Sequence, residues 1–415
     1  MVARGDVVSL TVERPAVGGP MIARLDGEVV LVTGAIPGER VTARVDRVSR
    51  SVAFATTLSA DDPSSDRRAA FDDPLCGGCA YSHIAYPRQL DIKSQVLADA
   101  FTRIGRLELP RPVRVAGSPE RGYRMRARLH VRGRRIGFFR EGTHDVCDAR
   151  LSGQLLPEAV DALDRLMTRA RSVGDIVREV ELSENVPATE RVVHLETTEP
   201  IDRRALESIT SVDGLTPAPY INERLDIGGH ALTLRRHVLA FFQGNRYLLR
   251  DLVAHVAERI PFGGDVVDLY AGAGLFSVAA AVLRGASVAA VEGDRWAAED
   301  LRVNAANAGG RLTAVRGDVE SFVAGLGGTA GRPATVIMDP PRTGLSHAAL
   351  AGVLGLRPQR LVYVSCDVAT LARDARVIVD AGYRIDCADA FDLFPNTPHV
   401  ETVVVFQESG AVSPL

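Results

Sequence analysis

The chain has 415 residues, of which 46% are hydrophobic and 24% are charged, and its formal net charge is −3. This composition is typical of a globular protein with two or three domains, and the net charge gives no general argument for a nucleic-acid partner. Because no apolar run approaches membrane-spanning length and the first residues lack an apolar signal-peptide core, we expect a cytoplasmic protein with no membrane partner.

The first 58 residues predict a small β-barrel of the OB type. Apolar and polar residues alternate with period two, and Gly-Gly-Pro, Asp-Gly and Ile-Pro-Gly interrupt the alternation at turns. Several short strands with regular turns are typical of such a barrel, a fold that often binds nucleic acid. A polar segment rich in Pro and Asp follows at 59–74 and is expected to be a linker.

Residues 59–236 predict a central α+β domain. Helical periodicity begins near Pro87, and we expect the helix near 93–111 to pack against the domain that follows. Residues 101–150 contain thirteen Arg and no Lys, against five acidic residues. Such a patch can bind phosphates bidentately, so RNA contact and an ordinary solvated face with salt bridges both remain open.

The last part of the chain predicts a doubly wound, Rossmann-like domain over residues 237–415. Strands and helices alternate from about Val238 onwards, and the final two strands are expected to form an antiparallel hairpin. The expected fold class is therefore a multidomain α/β protein with an N-terminal barrel and a central α+β domain.

A ligand site is predicted where this domain begins. The stretch DLYAGAGLFS lies between a strand and a helix, and Gly272 and Gly274 allow a sharp turn with close approach of a ligand. Glu292 ends the second strand, where a carboxylate accepts hydrogen bonds from ribose hydroxyls. Asp318 ends the third strand, where an adenine amino group would lie.

Two cofactors compete for this site. A dinucleotide-binding loop would have its third glycine where Ser277 stands. The DPPR turn, Asp339–Arg342, ends the fourth strand and fits a methyltransferase better, because tight Asp-Pro-Pro turns there face the methyl donor and the target base. We therefore expect S-adenosylmethionine as the cofactor.

Cys366 follows the fifth strand, immediately before a predicted helix. A free cysteine is often only a small core residue, but a helix N-terminus favours the thiolate and suits a nucleophile. A thiolate that adds to carbon 6 of a pyrimidine makes carbon 5 nucleophilic, and a base must later remove the carbon-5 proton. Glu401, at the start of the last apolar run, is the candidate base, although a charge at a strand edge is also common.

Seven features together resemble the TRAM-domain RNA 5-methyluridine methyltransferases along nearly the whole chain. They are the N-terminal barrel, CGGC, FFQGN at Phe241–Asn245, DLYAGAGLF, DPPRTG, YVSCDVATLARD and FDLFPNTPHVETV. The resemblance implies that Cys366 is the nucleophile and Glu401 the proton acceptor. It also implies an S-adenosylmethionine site formed by Gln243, Tyr270, Glu292, Asp318 and Asp339. Phe241 or Phe242 would stack on a base, and Leu275 stands where many members have Asn.

The five cysteines are Cys76, Cys79, Cys147, Cys366 and Cys387, and such an odd, sparse set argues against a disulfide framework. Family members with a 4Fe–4S cluster have the pattern C-x5-C-G-G-C and a distant fourth cysteine. Ala70 and Ser152 occupy the first and fourth positions here, so we expect no intact cluster. Cys76, Cys79 and Cys147 remain a possible remnant metal site, and Cys387 is expected in the core.

The resemblance thus implies an enzyme that methylates carbon 5 of a uridine in structured rRNA or tRNA. Cytosine carbon-5 methylation is an alternative, because it also needs addition of a cysteine to carbon 6. An RNA-binding or RNA-folding protein with secondary catalysis is another, since the barrel and the Arg-rich segment both suit it. RNA is the expected partner, held through its phosphates with the target base flipped into the pocket, and we expect a monomer.

Overall fold

The computed structural model describes residues 2–50, 52–71, 73–171, 176–326 and 331–410. It contains a closed barrel, a four-stranded sheet, a two-stranded sheet and an eight-stranded sheet in the described part of the chain. This arrangement confirms the multidomain α/β fold class. None of the described helices is long and apolar enough to cross a membrane.

Five strands form the N-terminal barrel, and they are β1 (Val7–Pro15), β2 (Met21–Leu25), β3 (Glu28–Thr33), β4 (Arg40–Ser49) and β5 (Val52–Asp62). The strand order β1-β2-β3-β5-β4 closes because β1 also pairs with β4. Along β1, buried Leu10 and Val12 alternate with exposed neighbours, which is the pattern of a strand with one face on a core. Strand β5 extends to Asp62, into the segment predicted as a linker.

The central domain is an antiparallel sheet of order β10-β9-β7-β8 that packs against helices. Its elements are β7 (Arg126–Arg132), β8 (Arg135–Gly137), α2 (Ala149–Ser152), α3 (Pro157–Ala170), β9 (Val177–Glu184), β10 (Arg191–Thr197) and α4 (Arg203–Thr210). Leu163 and Leu166 of α3 share one hydrophobic cluster with Val180 and Leu182 of β9. This cluster gives the central domain a core of its own.

Helix α1 (Tyr86–Ala100) continues into a π-helical turn, Phe101–Gly105, and ends where Arg106 adopts a left-handed φ of 52°. The predicted end near residue 111 was therefore too late. Leu97 and Phe101 join the hydrophobic cluster of the C-terminal domain. A Cβ at Gly105 would lie 2.9 Å from the carbonyl oxygen of Ala372, so only glycine permits this close approach.

The C-terminal domain is built on a sheet of order β15-β14-β13-β16-β17-β19-β18-β6. Its strands are β6 (Val115–Ala116), β13 (Asp265–Leu269), β14 (Ser287–Glu292), β15 (Leu312–Arg316), β16 (Thr335–Met338), β17 (Arg360–Ser365), β18 (Tyr383–Phe391) and β19 (Glu401–Glu408). Strands β13 to β17 are mutually parallel, whereas β19 is antiparallel to β17 and β18. The strand order reverses between β13 and β16, which is where ligands bind in such sheets.

Helices cover both faces of this sheet, and they are α5 (Leu249–Glu258), α6 (Leu275–Arg284), α7 (Arg295–Ala306), α8 (Val319–Leu326), α9 (His347–Gly355) and α10 (Val368–Asp380). A hairpin of β11 (Tyr220–Ile227) and β12 (His230–His237) packs beside them. Leu225 and Leu232 of this hairpin share a core with Leu252 of α5 and Val278 of α6. The hairpin thus packs with the C-terminal domain, although the sequence boundary had placed it in the central one.

A buried ion pair joins α1 to the segment between β18 and β19. Lys93, the single lysine of the chain, lies with its Nζ 2.5 Å from Oδ1 of Asp392 and 3.2 Å from the carbonyl oxygen of Phe394. The two charged side chains are 1% and 0% exposed. Removing one partner of such a pair leaves an uncompensated charge inside the protein.

We therefore expect Lys93→Met to lower the free energy of unfolding by roughly 3–5 kcal/mol, because Asp392 would remain buried without its cation. Thermal and urea denaturation measure the change. The double variant Lys93→Met/Asp392→Leu should recover most of the loss, and Arg203→Met, in an exposed helical pair with Glu207, should leave the midpoint unchanged. A Lys93→Met protein as stable as the parent would contradict the assignment.

Candidate active site

The carboxyl ends of the parallel strands bring the predicted site residues to one edge of the large sheet. Because β19 runs antiparallel to β17, its first residue lies at this same edge, with Thr402 opposite Ser365. The residues gathered there are Asp268, Tyr270, Glu292, Asp318, Asp339, Cys366 and Glu401. The topology of a doubly wound sheet, and not their spacing along the chain, makes them neighbours.

The loop after β13 has a strained backbone. Tyr270, Gly272 and Gly274 have left-handed φ values of 60°, 56° and 91°, and a Cβ at Gly274 would lie 2.8 Å from Cδ1 of Leu301. Around Gly272, the nearest described atom to a built Cβ is the carbonyl oxygen of Phe241, 4.0 Å away. The loop therefore turns tightly and leaves open space beside Gly272 for a ligand.

Glu292 holds two loops at the end of β14. Its Oε2 accepts a hydrogen bond of 2.8 Å from the backbone N–H of Gly272, and its Oε1 accepts one of 2.7 Å from that of Asp294. Asp318 is exposed, and hydrogen bonds from the backbone N–H and the side-chain hydroxyl of Ser321 lower the pKa of its carboxylate. Both carboxylates keep lone pairs that a ligand's hydroxyl or amino group can use.

Two buried carboxylates lie deeper in the site. Burial raises the pKa of Asp268 to about 7, although Ser277 Oγ donates a hydrogen bond to its Oδ2. Its Oδ1 has no hydrogen-bond donor among the described residues. Burial and the neighbouring Asp268 also raise the pKa of Asp339, whose Oδ2 accepts a 3.2 Å hydrogen bond from Gln243 Nε2. A site with this excess of acceptors and buried acid groups is suited to a cationic ligand.

Cys366 and Glu401 face each other across β17 and β19. Burial and the Glu401 carboxylate raise the pKa of the Cys366 thiol to about 11, and Arg342 opposes both effects. Burial and Asp339 raise the pKa of Glu401, a side chain that is only 2% exposed. Burial thus opposes the thiolate that a helix N-terminus favours, and Asp367 caps the first turn of this helix.

The structure decides between the two adjacent phenylalanines. Phe241 is 60% exposed, whereas Phe242 is 4% exposed and lies in a hydrophobic cluster, with the Arg236 guanidinium 4.6 Å from its ring. The guanidinium of Arg126 lies 5.9 Å from the Phe241 ring. Only Phe241 can therefore stack on a base that enters from outside.

The cysteines of the central domain do not fit a 4Fe–4S cluster. Cys76 and Cys147 form a disulfide with a Cα–Cα distance of 5.5 Å, a pairing that the sequence did not predict. The bond forms because the segment around Phe139 pairs with both chain segments, which lie 71 residues apart in sequence. Cys79 is a buried thiol, and burial raises its pKa to about 12.

The first and fourth positions of the cluster pattern, Ala70 and Ser152, also hold no cysteine to bind iron. Ala70 is exposed, and Ser152 Oγ donates a 2.7 Å hydrogen bond to the carbonyl oxygen of Ala149. Among the described residues, no group of three or more His, Cys, Asp or Glu could hold a metal ion. Cys387, expected in the core, is half-buried on β18, and Leu275 begins α6 with its side chain in the core.

Three residues of the site were not predicted. They are Arg342 in the DPPR turn, Asp268 in β13 and Ser277 in α6. A charged residue in a strand-end turn was the available signal for Arg342. The Asp268–Ser277 contact had no sequence signal, because it depends on how α6 packs over β13.

Two family models and several known proteins are similar to this chain. A model described as tRNA (uracil-5-)-methyltransferase matches residues 215–409, and a TRAM domain model matches residues 2–58. A Corynebacterium efficiens protein described as an uncharacterized RNA methyltransferase is 32% identical over 98% of this chain and 96% of that protein. The 23S rRNA (uracil(1939)-C(5))-methyltransferase RlmD of Bordetella bronchiseptica is 32% identical over 93% of this chain and 90% of that protein.

A solved structure extends the similarity to three dimensions. The Pyrococcus abyssi tRNA (uracil-54, C5)-methyltransferase, in complex with S-adenosyl-L-homocysteine, is 26% identical and matches with a TM-score of 0.72. The match covers 96% of this chain and 99% of that one. The doubly wound domain with its glycine loop and strand-end carboxylates is thus that of an S-adenosylmethionine-dependent methyltransferase.

The relatives narrow this class to one family. The chain belongs to the RNA uracil-5-methyltransferases with an N-terminal TRAM domain, and it is an enzyme that methylates carbon 5 of uracil in RNA. The predicted family, activity and RNA substrate are confirmed. The cytosine-5 and RNA-folding alternatives have no such support.

The ionisation of Cys366 gives a prediction about Arg342. Because the pKa of the thiol is raised to about 11, its thiolate fraction should rise about tenfold per pH unit between pH 7 and 9. Replacing Arg342 by Gln removes a cation that lowers this pKa, so alkylation of Cys366 by iodoacetamide at pH 8 should slow by roughly tenfold.

Peptide mass spectrometry resolves alkylation of Cys366 from that of Cys387. The matched control is Arg250→Gln, an exposed arginine on α5 that pairs with Asp251, and it should react like the parent protein. A pH profile that reaches a plateau below pH 8 would contradict the raised pKa of the thiol. An Arg342→Gln rate equal to that of the parent would show that Arg342 does not lower this pKa.

Proposed function

We propose that this enzyme methylates one uridine carbon 5 in large-subunit rRNA, with Cys366 as nucleophile and Glu401 as proton acceptor. The observation that carries the proposal is the placement of the Cys366 thiol and the buried Glu401 carboxyl group at one sheet edge. They are close enough that the Glu401 carboxylate raises the pKa of the thiol. Covalent pyrimidine chemistry needs this pair of groups side by side.

The S-adenosylmethionine site is formed by Gln243, Tyr270, Glu292, Asp318 and Asp339 beside the loop of Gly272 and Gly274. Support comes from the open space at Gly272, the lone pairs of Glu292 and Asp318, and the buried acid groups at the base of the site. When bound, S-adenosylmethionine supplies a methyl group on a positively charged sulfonium. The acidic base of the site suits that charge.

Cys366 and Glu401 act before and after methylation. After the Cys366 thiol loses its proton to water, the thiolate forms a bond to carbon 6. The ring double bond between carbons 5 and 6 opens, and its electron pair moves onto carbon 5. Once carbon 5 carries both the methyl group and its original hydrogen, the Glu401 carboxylate takes that proton. The electron pair of the C–H bond then restores the ring double bond as the carbon–sulfur bond breaks. Arg342 stabilises the Cys366 thiolate before it adds to carbon 6 and again after the carbon–sulfur bond breaks.

The RNA contact surface extends from the site along the central domain. Strand β7 begins with Arg126, next to Phe241, and ends in an exposed turn that carries Arg132, Arg134 and Arg135. Seven residues of strand span roughly 20 Å, so the turn can reach phosphates well outside the pocket. Other arginines of the Arg-rich segment have acidic partners, as Arg128 has in Glu181, so only part of that segment is available to RNA.

The large-subunit rRNA is favoured because relatives 32% identical over nearly the full length are described as 23S rRNA enzymes. A tRNA is the second candidate, since the structure from Pyrococcus abyssi is that of a tRNA enzyme. We also propose that the enzyme acts as a monomer, with its barrel and central domain holding the RNA.

The substrate proposal is tested with total RNA from a strain that lacks the gene. Labelled S-adenosylmethionine and purified enzyme should place label in 5-methyluridine, and size separation should find it in large-subunit rRNA. Cys366→Ala, with the same RNA, is the matched control and should transfer none. Label in tRNA would move the substrate to the second candidate, and label in 5-methylcytidine would overturn the reaction.

The roles of the two catalytic residues are tested by trapping. Glu401→Gln should still form the bond to carbon 6 but release product about 10²–10⁴-fold more slowly, because the general base is lost. A methylated protein–RNA adduct that survives denaturing electrophoresis should therefore accumulate.

Cys366→Ala should form no adduct while keeping S-adenosylmethionine binding, measured by calorimetry. Cys387→Ala is the control for loss of a half-buried thiol and should behave like the parent enzyme. An adduct in the Cys366→Ala variant, or normal turnover by Glu401→Gln, would exclude these assignments.

A further inference from the structure

The segment between β18 and β19, residues 392–400, is called the base loop here because Glu401 follows it directly. It is short and largely buried, with Asn396 1% and Thr397 7% exposed. Its first residue is anchored by the Lys93–Asp392 pair, and Asn245 Nδ2 donates a 3.2 Å hydrogen bond to the carbonyl oxygen of Leu393. The position of Glu401 therefore depends on what holds this loop.

The middle of the base loop is bound by residues that precede and begin α1. Asn396 and Gln89 exchange two hydrogen bonds of 2.9 Å, from the Asn396 backbone N–H to Gln89 Oε1 and from Gln89 Nε2 to Asn396 Oδ1. Arg68 donates a third hydrogen bond to Asn396 Oδ1, at 2.9 Å. The backbone N–H of Tyr81 donates to the carbonyl oxygen of Asn396 at 2.8 Å.

The end of the base loop touches the N-terminal barrel. The turn between β1 and β2 approaches Pro398 so closely that a Cβ at Gly19 would lie 3.0 Å from Cγ and 3.2 Å from Cβ of that proline. The Tyr81 hydroxyl donates a 3.2 Å hydrogen bond to the carbonyl oxygen of Gly19. Tyr81 thus holds the barrel turn with its hydroxyl and the base loop with its backbone.

We propose that the β1–β2 turn of the barrel positions Glu401 for removal of the carbon-5 proton, with Gly19 and Tyr81 as positioning residues. The inference rests on the proposed role of Glu401 as proton acceptor. A general base must lie within hydrogen-bond reach of its proton, and displacements of a few tenths of an ångström in its support are sufficient to misplace it. The barrel is therefore part of the active-site framework in addition to its expected contact with RNA.

Steady-state kinetics distinguish this positioning role from a role in RNA binding alone. If the turn only gripped RNA, disturbing it would raise KM for RNA and leave kcat unchanged. If the turn positions Glu401, disturbing it lowers kcat at the step after methyl transfer and lowers KM in proportion, so that kcat/KM stays unchanged. The covalent adduct should then accumulate, as it should when Glu401 itself is replaced.

The experiment compares Gly19→Val with Gly18→Val. Both glycines have a left-handed φ, of 112° and 87°, so both substitutions strain the turn, but no described atom lies within 4 Å of a Cβ at Gly18. We expect similar melting temperatures for the two variants and a kcat at least tenfold lower for Gly19→Val alone. KM for RNA should fall together with kcat in Gly19→Val, and both should stay within twofold of the parent values in Gly18→Val.

Tyr81→Phe provides a second variant that keeps the packing of the ring and loses only the hydroxyl bond to Gly19. It should fold, lower kcat severalfold and show partial accumulation of the adduct. Equal kcat values for Gly19→Val and Gly18→Val, or a raised KM with an unchanged kcat, would overturn the proposal. Absence of adduct in Glu401→Gln would instead refute the proton-acceptor role, while the comparison of kcat with KM would still report on positioning.

Discussion

Crowding of acidic groups at one edge of a buried sheet is the constraint around which this site is organised. Burial raises the pKa values of Asp268, Asp339 and Glu401, and a neighbouring carboxylate adds to the effect in each case. Arg342 counteracts it at both Glu401 and Cys366. The positive charge of a bound sulfonium would also lower these pKa values. Cofactor binding and the ionisation of Cys366 and Glu401 are therefore linked.

Buried ion pairs also join the domains to one another. Inside the protein, Arg246 pairs with Glu184, and Lys93 pairs with Asp392. A buried pair is costly to leave half-formed, so each contact fixes the relative placement of the chain segments that supply it. Both pairs hold segments that lead into the active site, FFQGN in the first case and the base loop in the second. Each pair therefore links the C-terminal domain to a segment that precedes it in the chain.

Sequence patterns predicted the C-terminal domain better than the central one. Each strand–helix unit of a doubly wound sheet is a local signal, since a buried parallel strand is a short apolar run and the next helix has its own period. The central region gave no such period. Strand β6 has two residues and joins a sheet formed by distant chain, and the β11–β12 hairpin packs on helices that follow it. Both depend on partners remote in sequence.

The sequence by itself determined the fold class, the glycine loop and the placement of Cys366 and Glu401 at strand ends, because strand ends are local features and parallel topology gathers them at one edge. Only the tertiary structure decided that burial raises the pKa of the Cys366 thiol and that Phe241 is the exposed phenylalanine of the pair. It also revealed the Cys76–Cys147 disulfide and the contact of Gly19 with the base loop. These features depend on burial and on distances between remote segments, which no local pattern of residues encodes.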